Sequence, residues 1–172
     1  MKKYLLMVMI LATTAASNIF AQDVSSNPLQ PVVTSYIGLK NALAIDRGDS
    51  ARASAKVLYD AIDKVPMDKL SEDQHKSWMQ YNEKLSHDAE HIKSTNELAQ
   101  QREHFAKLSS NMSKMLKAMN MNDTDLYIQF CPMAEAGKGA YWVSEQSTIS
   151  NPYMGKRMPA CGKTTETLKA ND

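Results

Sequence analysis

The sequence predicts an all-α protein, a four-helix bundle-like domain with a long irregular C-terminal segment packed against it. Three observations carry this expectation. Apolar residues recur every three or four positions between residues 31 and 119, the period of helices with one covered face. Helix start signals, Pro31 and the SEDQ sequence at Ser71 to Gln74, precede two of these stripes. Chain breakers gather in the last third, at Pro132, Gly137, Gly139, Pro152, Gly155, Pro159 and Gly162. A chain of 172 residues has a one-domain length and can bury a core without a metal or disulfide to hold it.

The first stretch, MKKYLLMVMILATTAASNIFAQD, reads as a secretory signal peptide over residues 1–21, with the cut after Ala21. It is too short, and too polar at its far end, for a spanning helix. Residues 22–172 then form a single domain, periplasmic or otherwise extracytoplasmic and not inserted in a membrane. Losing Lys2 and Lys3 takes the formal net charge from +1 to about −1. Such a balance asks for neither nucleic acid nor an anionic surface.

The first helix, about 31–47, carries the stripe Val33, Ile37, Leu39, Lys40, Leu43 and Ala44, and Gly48 stops it. Asp49 or Ser50 caps the second, about 50–65, whose stripe is Ala53, Val57, Leu58, Ala61, Ile62 and Val65 before Pro66. The pair forms a hairpin across the glycine turn. The capping box at Ser71 opens the third helix, about 72–93, with Trp78, Tyr81, Leu85, Ala89 and Ile92 on one face. A turn at STNE, residues 94–97, separates it from the fourth, about 96–119, striped by Leu98, Phe105, Leu108, Met112, Met115, Leu116 and Met119. In the tail, 120–172, DLYIQF is a short strand or a last helical turn, and the breakers beyond leave little room for regular elements. Phe130, Tyr141, Trp142, Ile149 and Tyr153 predict that the tail folds back and buries its rings.

The tail also holds both cysteines. Cys131 and Cys161 are separated by 29 residues. Outside the cytoplasm a disulfide between them is the plain reading, worth about 3–4 kcal/mol on the chain-entropy model. Met133 and Met158 point another way. A thiolate and a thioether from each end of the loop make a soft sulfur set of the kind that favours Cu(I), with Pro132 and Pro159 stiffening both segments. Two cysteines without CxxC spacing are a poor zinc finger.

The histidines divide similarly. His75 belongs to an exposed first turn, whereas His87 and His91 stand four apart, within reach of one ion, in KLSHDAEH, which also reads as a solvated face. If the third and fourth helices are antiparallel, His91 and His104 meet near the turn at 94–97, and imidazole with sulfur makes a mixed copper site. No HExxH, Walker loop, GxSxG elbow or CxxC motif is present, and no activated nucleophile assembles, so a non-enzymatic protein is expected.

The segments AEHI (89–92), QREHFAKLS (101–109), YIQFCPMA (127–134), GKGAYWVS (137–144), ISNPYMGKRMPACG (149–162) and TETLK (165–169) resemble a bacterial exported family known only as domain of unknown function 3347. Members of that family stand alone or are fused to heavy-metal efflux adaptors. The resemblance implies handling of copper or a similar soft metal, with an efflux adaptor or other periplasmic metal-handling protein as partner. Carried onto this chain, its recurrent polar and sulfur positions are His91, His104, Cys131, Met133, Met158 and Cys161. Gly139, Trp142, Asn151, Pro152, Tyr153, Gly155 and Gly162 match its scaffold, while Met154 stands where an aromatic residue is frequent and MPACG departs from MLTCG-like forms. The expected ion is Cu(I), with Zn(II) possible through His91, His104, Cys131 and Cys161. The competing expectation is a structural or interaction domain whose tail is fixed by a Cys131 to Cys161 disulfide.

Overall fold

The computed structural model describes residues 27–171. The expected signal peptide lies outside the described residues. Four long helices follow in order: α1 (Gln30–Ala44), α2 (Gly48–Asp63), α3 (Glu72–Lys93) and α4 (Leu98–Met119). They pack along the chain, α1 on α2, α2 on α3 and α3 on α4. None of the described helices is long and apolar enough to cross a membrane.

Local chemistry accounts for two of the helix starts. Pro31 lies in the first turn of α1, where its missing N–H costs nothing. The Ser71 hydroxyl accepts from the Gln74 N–H at 3.3 Å while the Gln74 side chain accepts from the Ser71 N–H at 2.9 Å, so α3 opens on a closed capping box. Ser71→Ala is expected to lower unfolding free energy by about 1 kcal/mol in urea titrations.

The start of α2 differs from expectation. Neither Asp49 nor Ser50 caps it; the helix begins at Gly48 with no side-chain cap, and Asp49 lies inside its first turn. Gly48 is needed for proximity, because a Cβ there would overlap the Asn96 carbonyl in the α3–α4 turn. The α2 stripe is also rotated. Ala51, Ala55, Leu58 and Ile62 are buried, while Ala53 is exposed and Val57 is 57% exposed. Steps of four, three and four hold one helical face toward α1 and α3, and Ala53 and Val57 fall off it.

The all-α expectation is corrected by the tail. It contains three strands, β1 (Leu126–Cys131), β2 (Ala140–Ser144) and β3 (Lys163–Leu168), in an antiparallel sheet ordered β2-β1-β3. The glycines and prolines sit mostly in the connections, so their density marked turns between strands and not an absence of strands. β3, KTTETL, is almost wholly exposed and shows no apolar alternation, which hid it from the sequence.

The sheet packs on α4 through β2. Trp142 and Tyr153 are buried as expected, Phe130 and Ile149 are half-buried, and Tyr141 remains exposed. Tyr36 of α1 joins the layers. Its hydroxyl lies 2.7 Å from Ser109 Oγ on α4 and accepts from the Val143 N–H of β2 at 3.1 Å. Burial holds its pKa well above the usual phenol value, so the neutral hydroxyl serves this network.

Candidate metal centre

Strand pairing explains why the two cysteines meet. Cys131 ends β1, paired with Ala140 of β2, while Phe130 pairs with Lys163 at the start of β3. Antiparallel geometry therefore brings the residues just before Lys163 back beside Cys131. The two Sγ atoms are 2.8 Å apart, with Cys131 buried and Cys161 half-buried. Asn151 locks the approach from the loop. Its Oδ1 accepts from the Tyr153 and Met154 N–H groups at 2.8 and 3.0 Å, and its Nδ2 donates to the Cys161 carbonyl at 2.6 Å. The Asn151 N–H donates to the Pro159 carbonyl at 2.9 Å.

The two thiols are electrostatically unequal. Burial pushes the Cys131 thiol up, but the Cys161 thiol, the Met133 and Ala134 N–H groups and the Asn151 amide together hold it below its ordinary value. Cys161 is pushed the other way, chiefly because its proton is held in the hydrogen bond to Cys131. Cys131 is accordingly the first to become a thiolate, the form that binds metal.

The other two sulfur candidates approach this pair through their backbones. Met133, two residues on from Cys131, has an exposed side chain, and its backbone addresses both thiols. Met158 is half-buried against the core, and its carbonyl accepts from the Cys161 N–H at 3.2 Å.

His91 and His104 belong to a different cluster. Their rings are 4.4 Å apart and parallel within 2°, and His87 adds a third ring 4.5 Å from His91 and 6.5 Å from His104. His104 Nδ1 lies 3.2 Å from Oδ1 of Asp88, a buried carboxylate on α3. No three His, Cys, Asp or Glu side chains among the described residues already converge as a cation cage. Of the six sequence candidates, Cys131 and Cys161 are brought together in the tail, and His91 and His104 are brought together between α3 and α4. Asp88 was missed, although a signal existed: it stands three residues after Leu85, a carboxylate within an apolar stripe.

The tail is docked by an arginine that sequence reading also passed over. Arg102 of α4 donates to the Leu43 carbonyl at 2.9 Å, to Asp46 Oδ1 at 2.5 Å and to the Pro152 carbonyl at 2.8 Å. Asp46 Oδ2 accepts from the Lys156 N–H at 3.0 Å. The Arg102 hydrogen bond, with help from Lys156, holds the Asp46 carboxyl below its usual range. A depressed carboxylate pKa contributes stability that is present above the unfolded value and lost as pH falls through the folded one. Asp46→Asn should therefore destabilise at pH 7, by urea unfolding, and the gap from wild type should shrink as pH drops below about 4.

A family model described as a protein of unknown function, DUF3347, matches residues 32–124. The chain belongs to the DUF3347 family. The DUF3347 match runs from α1 to the approach of β1, so it includes His91 and His104 and ends before Cys131, Met133, Met158 and Cys161. Of the segments that carry the resemblance, AEHI and QREHFAKLS lie within the match, and those from residue 127 onward lie beyond it. No curated protein and no solved structure matches this DUF3347 chain.

Proposed function

We propose that this DUF3347 protein binds a soft transition metal outside the cytoplasm, Cu(I) foremost, and holds it for sequestration or for handover to an efflux system. The observation that carries the reading is the 2.8 Å approach of Cys131 Sγ to Cys161 Sγ from opposite ends of a long loop. Two thiolates beside two methionines suit Cu(I), because soft sulfur ligands select soft ions. With metal–sulfur bonds of about 2.3 Å in tetrahedral array, two thiolates sit about 3.8 Å apart, so loading requires the sulfurs to part by about 1 Å. Cys161 and Met133 lie on the accessible side and allow that movement. Thioether from Met133, and from Met158 after a side-chain adjustment, completes a coordination of three or four.

The imidazoles of His91 and His104 take no part in this sulfur site. A zinc set of His91, His104, Cys131 and Cys161 has less support, since the thiols approach each other and the imidazoles stack on each other. The predicted leader supports an extracytoplasmic location, and the resemblance to efflux-adaptor fusions supports an adaptor as the receiving partner. Nothing in the sequence motifs calls for catalysis.

The same sulfur approach favours a second reading, in which Cys131 and Cys161 close a disulfide that fixes the tail without metal. One experiment separates the two. Fully reduced protein is titrated with Cu(I) against a competing chelator, beside a Cys131→Ala, Cys161→Ala control, after a free-thiol count on protein extracted under alkylating conditions. Two alkylated cysteines, with Cu(I) bound more than about 100-fold tighter than by the control, support the metal site; that margin exceeds the effect of losing a single outer-shell partner. No modified cysteine and equal affinities would leave the disulfide domain.

A further inference from the structure

We propose that His87, His91 and His104 form a second, sulfur-free site for a borderline divalent cation, Zn(II) in chemical type, in the seam between α3 and α4.

The fold makes the cluster by a simple route. His87 and His91 are one helical turn apart and point along the same side of α3. The turn at 94–97 reverses the chain, and α4 lays His104 against them. A nitrogen–metal bond of about 2.0–2.1 Å places each ring centroid about 3.2 Å from the ion, and a tetrahedral angle then separates centroids by about 5 Å. The three observed separations are 4.4, 4.5 and 6.5 Å, which bracket that value. Spacing is therefore already met.

Ring orientation is what remains to change. His91 and His104 lie parallel, so their ring nitrogens do not aim at one point, consistent with no three-ligand cage being preformed among the described residues. His87 and His91 are both exposed, so either imidazole can turn toward solvent into another staggered rotamer at the cost of its present ring contacts.

Asp88 separates this reading from a solvated face. It is a buried carboxylate in the apolar stripe of α3, and its Oδ1 faces His104 Nδ1 at 3.2 Å. A carboxylate that accepts from one ring nitrogen fixes the tautomer, makes the imidazole a better ligand and leaves the other nitrogen for the ion. A solvated face needs no such group. Beside His87 and Asp88, an open groove of about 570 Å³, also lined by Glu83, Lys84, Lys107 and Asn111, leaves room for water as the fourth ligand. Imidazole donors without sulfur suit Zn(II) better than Cu(I), so this site and the cysteine pair would choose different ions.

The test keeps the sulfur site silent. Zn(II) is titrated against a chromogenic chelator into a Cys131→Ser, Cys161→Ser chain and, separately, into wild type alkylated at both thiols. One Zn(II) per chain is expected in each, weakened at least about 10-fold by His87→Ala or His91→Ala and about 10–100-fold by Asp88→Asn. Zinc should also shift the His104 ring nitrogen signals in NMR spectra. Both alanine sites are exposed, so circular dichroism should be unchanged. Equal zinc affinity in the His87→Ala, His91→Ala double variant, or zinc uptake only with free thiols, would overturn the proposal without touching the Cu(I) reading.

Discussion

Replacing Phe105 with alanine is expected to lower the unfolding free energy by about 3–5 kcal/mol, the range for a large buried aromatic truncated in a packed core. Phe105 has no exposed surface and occupies the joint between the helices and the tail. Its ring stacks on Tyr36 of α1 at 5.4 Å and meets Tyr153 of the tail at 5.7 Å. Tyr153 in turn contacts Trp142 at 6.0 Å and donates to the Tyr141 carbonyl at 2.5 Å. Removing the ring loosens all of these at once, and a loss of that size is a large share of a total stability of about 5–15 kcal/mol. Phe105→Leu should cost clearly less, because most of the volume stays filled. A loss below about 1 kcal/mol in urea unfolding would mean that the tail is not anchored through this ring.

Gly155→Ala should be nearly as damaging, about 3 kcal/mol or more, and for a different reason. Gly155 has φ +55°, a conformation that strains any residue with a Cβ, and that Cβ would overlap Asp46 Oδ1 and crowd the Arg102 guanidinium. The substitution therefore combines backbone strain with displacement of the ion pair that docks the loop. A double-mutant cycle divides these parts. In an Asp46→Ala background the overlap with Asp46 is gone and only the end of the Arg102 side chain must shift, so Gly155→Ala should cost markedly less than in wild type, leaving about 1 kcal/mol or more, mostly backbone strain. Additive costs would show that the close approach of Gly155 to Asp46 is unimportant.

Much of the helical half was legible in advance. The stripes on α3 and α4 were readable because covered helices repeat at 3.6 residues, and the predicted third helix matches Glu72–Lys93 end for end. Ala53 and Val57 misled because α2 is rich in small and apolar residues on more than one side, so composition alone left the buried face ambiguous. The strand alternative for DLYIQF anticipated β1, but β2, β3 and their pairing were missed for a related reason. Strands of five or six residues interrupted by turns give weak periodicity, and β3 buries almost nothing.

The candidate site was legible as residues and illegible as a partition. Cys131, Met133, Met158 and Cys161 stood out by chemical type at the two ends of one loop. Which of the candidates meet could not be read, since that depends on where the tail docks, and Arg102, Asp46 and Asn151 decide it through contacts distant in sequence.

The sequence by itself determined four helices, a capping box, a turn near residue 95 and a sulfur-bearing tail, because short-range periodicity and local hydrogen bonding are written in neighbouring residues. Only the tertiary structure decided that β1 and β3 pair so as to bring Cys131 against Cys161, and that Asp88 turns inward to His104. Those outcomes depend on strand register and helix packing between distant segments, which no local pattern encodes.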